Sequence, residues 1–189
     1  MAREHLAIAA ALAEREHLLI RGGSGYAPAV STLPDKLAAL RAAVSVLLEA
    51  RIAHALIGGL AVGIRSGIPR ATLDVDIAVA SSADLDALSA RMVRGGFVLV
   101  GCFTHSLNFK HESGEPLQLA FDPEFDAMIA RAEAMPVDDL SIRVVTRDDL
   151  IAMKRRAAAD PARRRSKALR DQADVALLEG DGPEPDEGW

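Results

Sequence analysis

Apolar and polar residues follow two patterns along the chain, and each pattern predicts one kind of element. Apolar residues spaced three or four apart, typical of one helix face, fill residues 1–20 and 34–51. Short apolar runs between polar or glycine-rich segments are typical of strands instead. The predicted strands are 53–57, 73–80, 97–102, 103–110, 117–121 and 140–145. The other predicted helices are a short one after 57, then 83–94 with Ser81 or Ser82 as its cap, 122–135, one capped by Thr146, and 169–178.

The order of these elements predicts an α+β fold, with a small mixed sheet flanked by helices, helices at the C-terminal end and an extra N-terminal helix. We divide the chain into an N-terminal helix with a flexible connector (1–33), a main domain (34–180) and an acidic, disordered tail (181–189). The N-terminal helix either packs back on the main domain or forms an interface with another subunit.

Length and composition limit the class of protein. A chain of 189 residues with 50% hydrophobic residues can form one domain with a proper core. Its net charge of −5 argues against a surface that coats nucleic acid generally. The single cysteine, Cys102, lies in an apolar run, so we expect a buried, inert thiol and a reducing compartment. No segment has the layout of a signal peptide or a membrane span, so we expect a cytoplasmic protein with no membrane partner.

The first candidate for chemistry is a glycine pair at the end of a strand. The run 53–57 leads directly into Gly58 and Gly59, where a helix is predicted to begin. Such a corner leaves backbone N–H groups free at the positive end of a helix dipole, which suits a phosphate. A tight turn with no ligand is the alternative interpretation of this pair.

Two aspartates, Asp74 and Asp76, lie one residue apart on the predicted strand 73–80. Side chains alternate along a strand, so both carboxylates are predicted to project from the same face. They repel each other unless a cation lies between them, and all-oxygen ligands favour Mg²⁺ (or Mn²⁺) with water and phosphates completing its shell. Such an Asp-x-Asp motif is weak alone, but with the glycine corner it predicts a site for a nucleoside triphosphate and its metal.

Two residues just ahead of the aspartates, Arg70 and Thr72, complete a recognisable pattern. Gly-Gly followed by an Asp-x-Asp strand resembles the nucleotidyltransferase superfamily typified by DNA polymerase beta. More narrowly, Gly-Gly-Leu-Ala-Val (58–62) with Arg-x-Thr-x-Asp-x-Asp (70–76) is similar to the toxin-type nucleotidyltransferases of the AbiEii group and their minimal relatives. The resemblance covers residues 37–179.

This resemblance implies a role for each residue of the pattern. The implied nucleotide-binding residues are Gly58, Gly59, Arg70, Thr72, Lys154, Asp171 and Asp174. The implied catalytic residues are Asp74, Asp76 and Lys154. Asp74 and Asp76 would also hold the divalent ions that bridge the phosphates of the substrate nucleoside triphosphate.

Two later segments, 149–154 and 170–178, resemble the closing motifs of the toxin group. Lys154 would reach the triphosphate from a helix, with Asp171 and Asp174 orienting it. The alternative is that Lys154 pairs with these aspartates as a structural bridge between two helices. The basic segment from Arg163 to Arg170 is either a solvated face or an RNA-binding patch.

The chain departs from the family pattern at its third metal-binding carboxylate. Gln118 lies where the family has an acidic residue, and an amide offers an oxygen without charge or basicity. Asp122 could substitute for it, although its place before Pro123 also suits the cap of the next helix.

The resemblance therefore implies a Mg²⁺-dependent nucleotidyltransferase that moves a nucleoside monophosphate onto an acceptor hydroxyl. For the toxin group the acceptor would be an RNA such as a tRNA end, or a protein side chain, and a variant takes a small molecule such as an aminoglycoside. The implied setting is a toxin–antitoxin pair with a cognate antitoxin as partner. The alternative is a catalytically degenerate module that binds nucleotide or a partner, because residue 118 is Gln.

Overall fold

Thirteen elements make up the part of the chain that the structure, a computed structural model, describes: residues 35–138 and 140–181. The strands are β1 (His54–Ile57), β2 (Val75–Val79), β3 (Phe97–Phe103), β4 (Ser106–His111), β5 (Pro116–Ala120), β6 (Glu133–Val137) and β7 (Leu140–Val144). The helices are α1 (Lys36–Glu49), α2 (Gly58–Ser66), α3 (Leu85–Arg94), α4 (Glu124–Arg131), α5 (Arg147–Ala159) and α6 (Arg165–Glu179). The predicted N-terminal helix and connector, and positions 182–189 of the predicted tail, lie outside the described residues.

All seven strands form one mixed sheet in the order β3-β4-β5-β2-β1-β7-β6. The interior strand β1 runs antiparallel to the central strand β2 and parallel to β7, and β2 runs parallel to β5. Every residue of β1 is buried, as expected for a strand with neighbours on both sides and helices against its faces. The predicted mixed sheet flanked by helices is confirmed.

Local sequence signals explain where several helices begin. The Asp35 side chain accepts from the Ala38 N–H at 2.9 Å and caps α1. The Thr146 hydroxyl accepts from the Asp149 N–H at 3.1 Å and caps α5, as predicted. The prediction for α3 is wrong, because its cap is Asp84 rather than Ser81 or Ser82.

Apolar side chains from the helices and both faces of the sheet form one core. Its largest fully buried members are Phe97, Phe109, Leu40, Leu47, Leu56, Ile77, Leu88, Met92, Leu117, Leu119, Ile142 and Leu150. Each such side chain stabilises the fold by about 1.5–3 kcal/mol relative to an exposed one. The core thus holds β1 and β2 rigidly, and these are the strands that carry the candidate site.

Two further predictions are wrong for reasons of tertiary structure. The helix predicted over 122–135 ends at Arg131, and 133–137 forms β6 at an edge of the sheet, where Pro136 is tolerated. Cys102 is exposed, because β3 is the opposite edge strand and lacks a neighbour on one side. Among the described residues no helix is both long and apolar enough to cross a membrane.

Candidate functional site

The glycine corner and the second aspartate lie in direct contact. β1 ends at Ile57, which pairs with Asp76 of β2, and α2 begins at the next residue, Gly58. Gly58 has a φ of +69°, and a Cβ added there would lie 2.0 Å from Oδ2 of Asp76. Only glycine fits this position, because both the left-handed backbone and the adjacent carboxylate exclude a side chain. The Asp76 carboxylate therefore lies against the backbone at the start of α2.

The second glycine is covered by the segment that precedes β2. A Cβ at Gly59 would lie 2.7 Å from Oγ1 of Thr72 and 3.4 Å from Nη1 of Arg70. The Thr72 hydroxyl also lies 3.2 Å from Oδ1 of Asp74, to which it donates a hydrogen bond. β2 begins at Val75, so Asp74 lies one residue before the strand rather than in it as predicted. Thr72 thus links the corner to the first aspartate.

The two aspartates share a site with too little positive charge to neutralise them. Burial first, and the negative charge of Asp74 second, raise the pKa of Asp76 to about 7 against opposing effects of Lys154, Arg70 and Lys167. A half-buried carboxylate with an elevated pKa next to a second carboxylate is a favourable place for a cation. The oxygen-only donors of these residues fit Mg²⁺.

The sheet register brings Gln118 beside this pair. Asp76 of β2 pairs with Gln118 of the parallel strand β5, so the amide and the carboxylate project from the same face. Within residues 35–138 and 140–181 no group of three or more His, Cys, Asp or Glu side chains could hold a metal. A metal at Asp74 and Asp76 would therefore take its remaining ligands from the Gln118 amide, water and phosphate oxygens.

Asp122, the other candidate for a third ligand, lies one residue before the N-cap of α4, Pro123. One of its carboxylate oxygens accepts from the Glu124 N–H at 3.0 Å, at the start of α4. The other oxygen lies 3.2 Å from Nδ1 of His105. Both oxygens are thus engaged in the loop before α4, but the N-cap of α4 is Pro123, so the prediction that Asp122 is the cap is wrong by one residue.

Lys154 lies in a buried network between α5 and α6. Its Nζ atom is 3.0 Å from Oδ1 of Asp171 and 2.8 Å from Oδ2 of Asp174. Arg70 binds Asp174 through two nitrogens, at 2.5 and 3.2 Å, and Nε of Arg163 lies 2.5 Å from Asp171. Burial opposes ionisation of Asp171, but hydrogen bonds from Arg163 and Lys154 hold its pKa below the usual value. The bridge between helices is present, and contact of these residues with a triphosphate stays a prediction.

One residue next to the site was missed by sequence reasoning. Asn108 of β4 pairs with Gln118, and its Oδ1 atom is buried without a hydrogen-bond partner among the described residues. A buried amide oxygen without a partner is uncommon in a folded protein. No local motif marks Asn108, since only the pairing of β4 with β5 brings it to this face.

Comparison with known proteins identifies relatives of the sequence and of the fold. A family model described as "Nucleotidyl transferase AbiEii toxin, Type IV TA system" matches residues 39–187. No curated protein matches the sequence.

Solved structures with a similar fold include three nucleotidyltransferases or nucleotidyltransferase-like proteins. An antigenic nucleotidyltransferase-like protein from Paracoccidioides brasiliensis is 20% identical, with a TM-score of 0.54 and 77% of each chain covered. The lincosamide antibiotic adenylyltransferase LnuA, bound to lincomycin, is 15% identical, with a TM-score of 0.54 over 74% of this chain and 94% of that one. ANT(2'')-Ia in complex with adenylyl-2''-tobramycin is 17% identical, with a TM-score of 0.57 over 78% and 91%. At these identities the similarity shows a shared fold.

Proposed function

Since the chain belongs to the AbiEii nucleotidyltransferase family, we propose that it transfers a nucleoside monophosphate from a nucleoside triphosphate to an acceptor hydroxyl. The observation that carries the proposal is the contact of the Asp76 carboxylate with the backbone of Gly58. This contact supports the proposal because carboxylate oxygens that would bind a metal lie close to N–H groups that would bind a phosphate. In the reaction the acceptor oxygen bonds to the α-phosphorus, and the bond from that phosphorus to the oxygen bridging to the β-phosphate breaks. Pyrophosphate leaves, and the proton of the acceptor hydroxyl passes to water.

Each residue of the site has a part in this proposal. The N–H groups at Gly58 and Gly59, at the N-terminal end of α2, bind the phosphate tail, and Thr72 orients Asp74 through its hydroxyl. Asp74 and Asp76 would hold Mg²⁺ or Mn²⁺, which would supply positive charge to the phosphate oxygens. Arg70 and Lys154 direct positive charge toward the same carboxylates.

We propose an RNA end, such as that of a tRNA, as the acceptor, and a toxin–antitoxin pair as the setting, with an antitoxin protein as partner. The family description supports the toxin–antitoxin setting. The structures of LnuA and ANT(2'')-Ia contain small molecules bound to those proteins. A small-molecule acceptor is therefore the alternative that the experiment should test. Cytoplasmic localisation follows from this proposal, since nucleoside triphosphates and tRNA are found there.

A second candidate function is nucleotide or partner binding without turnover. It is favoured by one observation, the neutral Gln118 beside Asp76 in place of a carboxylate. A site with two carboxylates instead of three has less charge to hold a second metal ion, and Gln118 cannot accept the proton of the acceptor hydroxyl.

The test is incubation of the full chain with Mg²⁺, each α-³²P-labelled nucleoside triphosphate and either total tRNA or tobramycin. Label on the tRNA that is lost in Asp76→Asn supports the transferase, and label on protein or on tobramycin instead would replace the proposed acceptor. Binding of a labelled triphosphate without transfer supports the second candidate. Wild-type protein that neither binds triphosphate nor transfers label would contradict both.

A further inference from the structure

A continuous row of residues crosses four strands on the face that carries Asp76. Asp76 pairs with Gln118, Gln118 pairs with Asn108, and Asn108 pairs with Gly101 at the edge strand β3. Paired residues of neighbouring strands project from the same face of a sheet. A ligand attached at the carboxylates can therefore extend across this row toward β3.

The amide of Asn108 is the unexplained member of the row. Its Oδ1 atom is buried and has no hydrogen-bond partner within the described part of the chain. An apolar side chain of similar shape would avoid the cost of burying an amide without a partner. The terminal torsion of Asn is broad, so a modest rotation can present either end of the amide to a ligand. Asn108 thus lowers the stability of the fold, and its amide is suited to a hydrogen bond that forms only when a ligand is bound.

An aromatic ring lies at the far end of the row. A Cβ added at Gly101 would lie 2.8 Å from Cε2 and 3.1 Å from Cζ of Phe103, so the ring covers Gly101 beside Asn108. Phe103 pairs with Ser106, two residues from Asn108 on the same strand, which confirms that both project from one face. The Phe103 side chain is 58% exposed, and an exposed ring on a glycine is a surface on which another flat ring can stack.

We propose that Asn108 and Gln118 position the acceptor hydroxyl at the site, and that Phe103 binds the flat ring of the acceptor next to it. The step deepens the proposed function and rests on it. It also gives a use to the amide that replaces the family's third carboxylate, since an amide can orient a hydroxyl although it cannot ionise.

The dimensions of this row fit the last two nucleotides of an RNA end. Three strand spacings separate β3 from β2, which is about 14 Å, so a hydroxyl near Asp76 and a ring near Phe103 can belong to neighbouring nucleotides of one strand. Amide groups match the edges of a base, and aromatic side chains commonly stack on unpaired bases of RNA. Lys110, exposed and two residues from Asn108 on the same face, can meet a backbone phosphate.

The decisive experiment measures RNA binding separately from transfer. The probe is a single-stranded RNA of twelve nucleotides with fluorescein at its 5′ end and no label at its 3′ end. It is titrated with the full chain in the absence of triphosphate, and fluorescence anisotropy gives the Kd. Phe103→Leu, which keeps an apolar side chain without a flat ring, should weaken binding about 5- to 150-fold, as loss of one stacked base does. Phe103→Tyr, which keeps the ring, should bind like wild type.

The matched control is Leu99→Ala on the same strand. Leu99 is 42% exposed but pairs with Phe109, so it projects from the opposite face and should leave the Kd unchanged. The proposal is overturned if Leu99→Ala and Phe103→Leu weaken RNA binding equally. It is also overturned if the wild-type protein does not bind RNA and transfers label to protein instead. RNA binding that depends on Phe103 in a protein without transfer activity would contradict the proposed function and keep the subsite.

A second variant separates positioning from folding at Asn108. Asn108→Leu removes the buried amide, so its thermal midpoint should equal or exceed that of wild type. Its KM for tRNA should rise at least tenfold while its Kd for triphosphate is unchanged. A lower midpoint with an unchanged KM would show that Asn108 serves the fold and would overturn its proposed role.

Discussion

Replacing Gly58 by Ala tests whether the glycine corner and Asp76 form one site. The added Cβ would meet Oδ2 of Asp76 at 2.0 Å and its Cβ and Cγ at 2.7 Å, whereas ordinary contacts lie at 3.4–4 Å. The carboxylate must therefore move by more than 1 Å, out of the position in which it lies against the start of α2. We expect Gly58→Ala to abolish binding of a Mn²⁺–nucleotide complex.

Gly67, at the end of the same helix, provides a matched control. It has a φ of +73°, close to the +69° of Gly58, but a Cβ there meets nothing within 4 Å. Gly67→Ala should thus lower the free energy of unfolding by only about 1–2 kcal/mol, which is the cost of placing alanine in a left-handed backbone conformation. Gly58→Ala should lose about 1–3 kcal/mol more from overpacking. At about 2–4 °C of thermal midpoint per kcal/mol, calorimetry distinguishes the two variants.

A double-mutant cycle identifies the atom responsible. In an Asp76→Gly background the colliding side chain is absent, so Gly58→Ala should cost no more than Gly67→Ala does. The reasoning is refuted if Gly58→Ala is equally destabilising in both backgrounds, or if both alanine variants bind Mn²⁺–nucleotide with the wild-type Kd.

Three further predictions follow from other charged groups of the structure. Asp76→Asn should raise the thermal midpoint of the metal-free protein in EDTA, and the increase should be larger at pH 8 than at pH 5. The reason is that a carboxylate whose pKa is raised to about 7 destabilises the fold as it ionises. An equal increase at both pH values would contradict this. Burial lowers the pKa of His54, so the folded protein favours the neutral imidazole and its stability should fall as pH drops below about 6.5. Denaturation curves of His54→Gln at pH 7.5 and 5.5 should no longer show this loss of stability. Lys154→Met should raise the Kd for triphosphate at least tenfold in calorimetric titrations, while Arg163→Met, which removes the other cation of Asp171, should leave it unchanged; equal effects would make Lys154 a structural bridge.

Local sequence signals predicted those features that depend on neighbouring residues alone. The glycine pair after an apolar strand could be recognised as a corner, since the change of backbone direction is fixed within three or four residues. Thr146 could be recognised as a cap for the same reason. Cys102 was predicted to be buried but is exposed, and the helix predicted to reach residue 135 ends at Arg131. Both outcomes depend on which strands lie at the edges of the sheet.

The candidate site was predictable in part. The contact of Asp76 with Gly58 follows from two consecutive strands that pair with each other, and the motif already suggested it. Asn108 and Phe103 could not be found in this way, since their places depend on the register of β3, β4 and β5. Register is set by packing of the whole sheet and leaves no signature at a single residue.

The second pair of aspartates explains why the first pair stays available for a cation. Lys154 and Arg70 are the positive charges that lower the pKa of Asp76 most, yet Asp174 holds both and Asp171 holds Lys154 as well. Were Asp171 and Asp174 neutral, these cations would be free to turn toward Asp76 and occupy the position of a metal. The buried network on α5 and α6 thus keeps positive charge near the site, at a fixed distance, without neutralising it. In the proposed function, a site arranged in this way would attract a triphosphate through its lysine and arginine and would still need a divalent ion to balance its carboxylates.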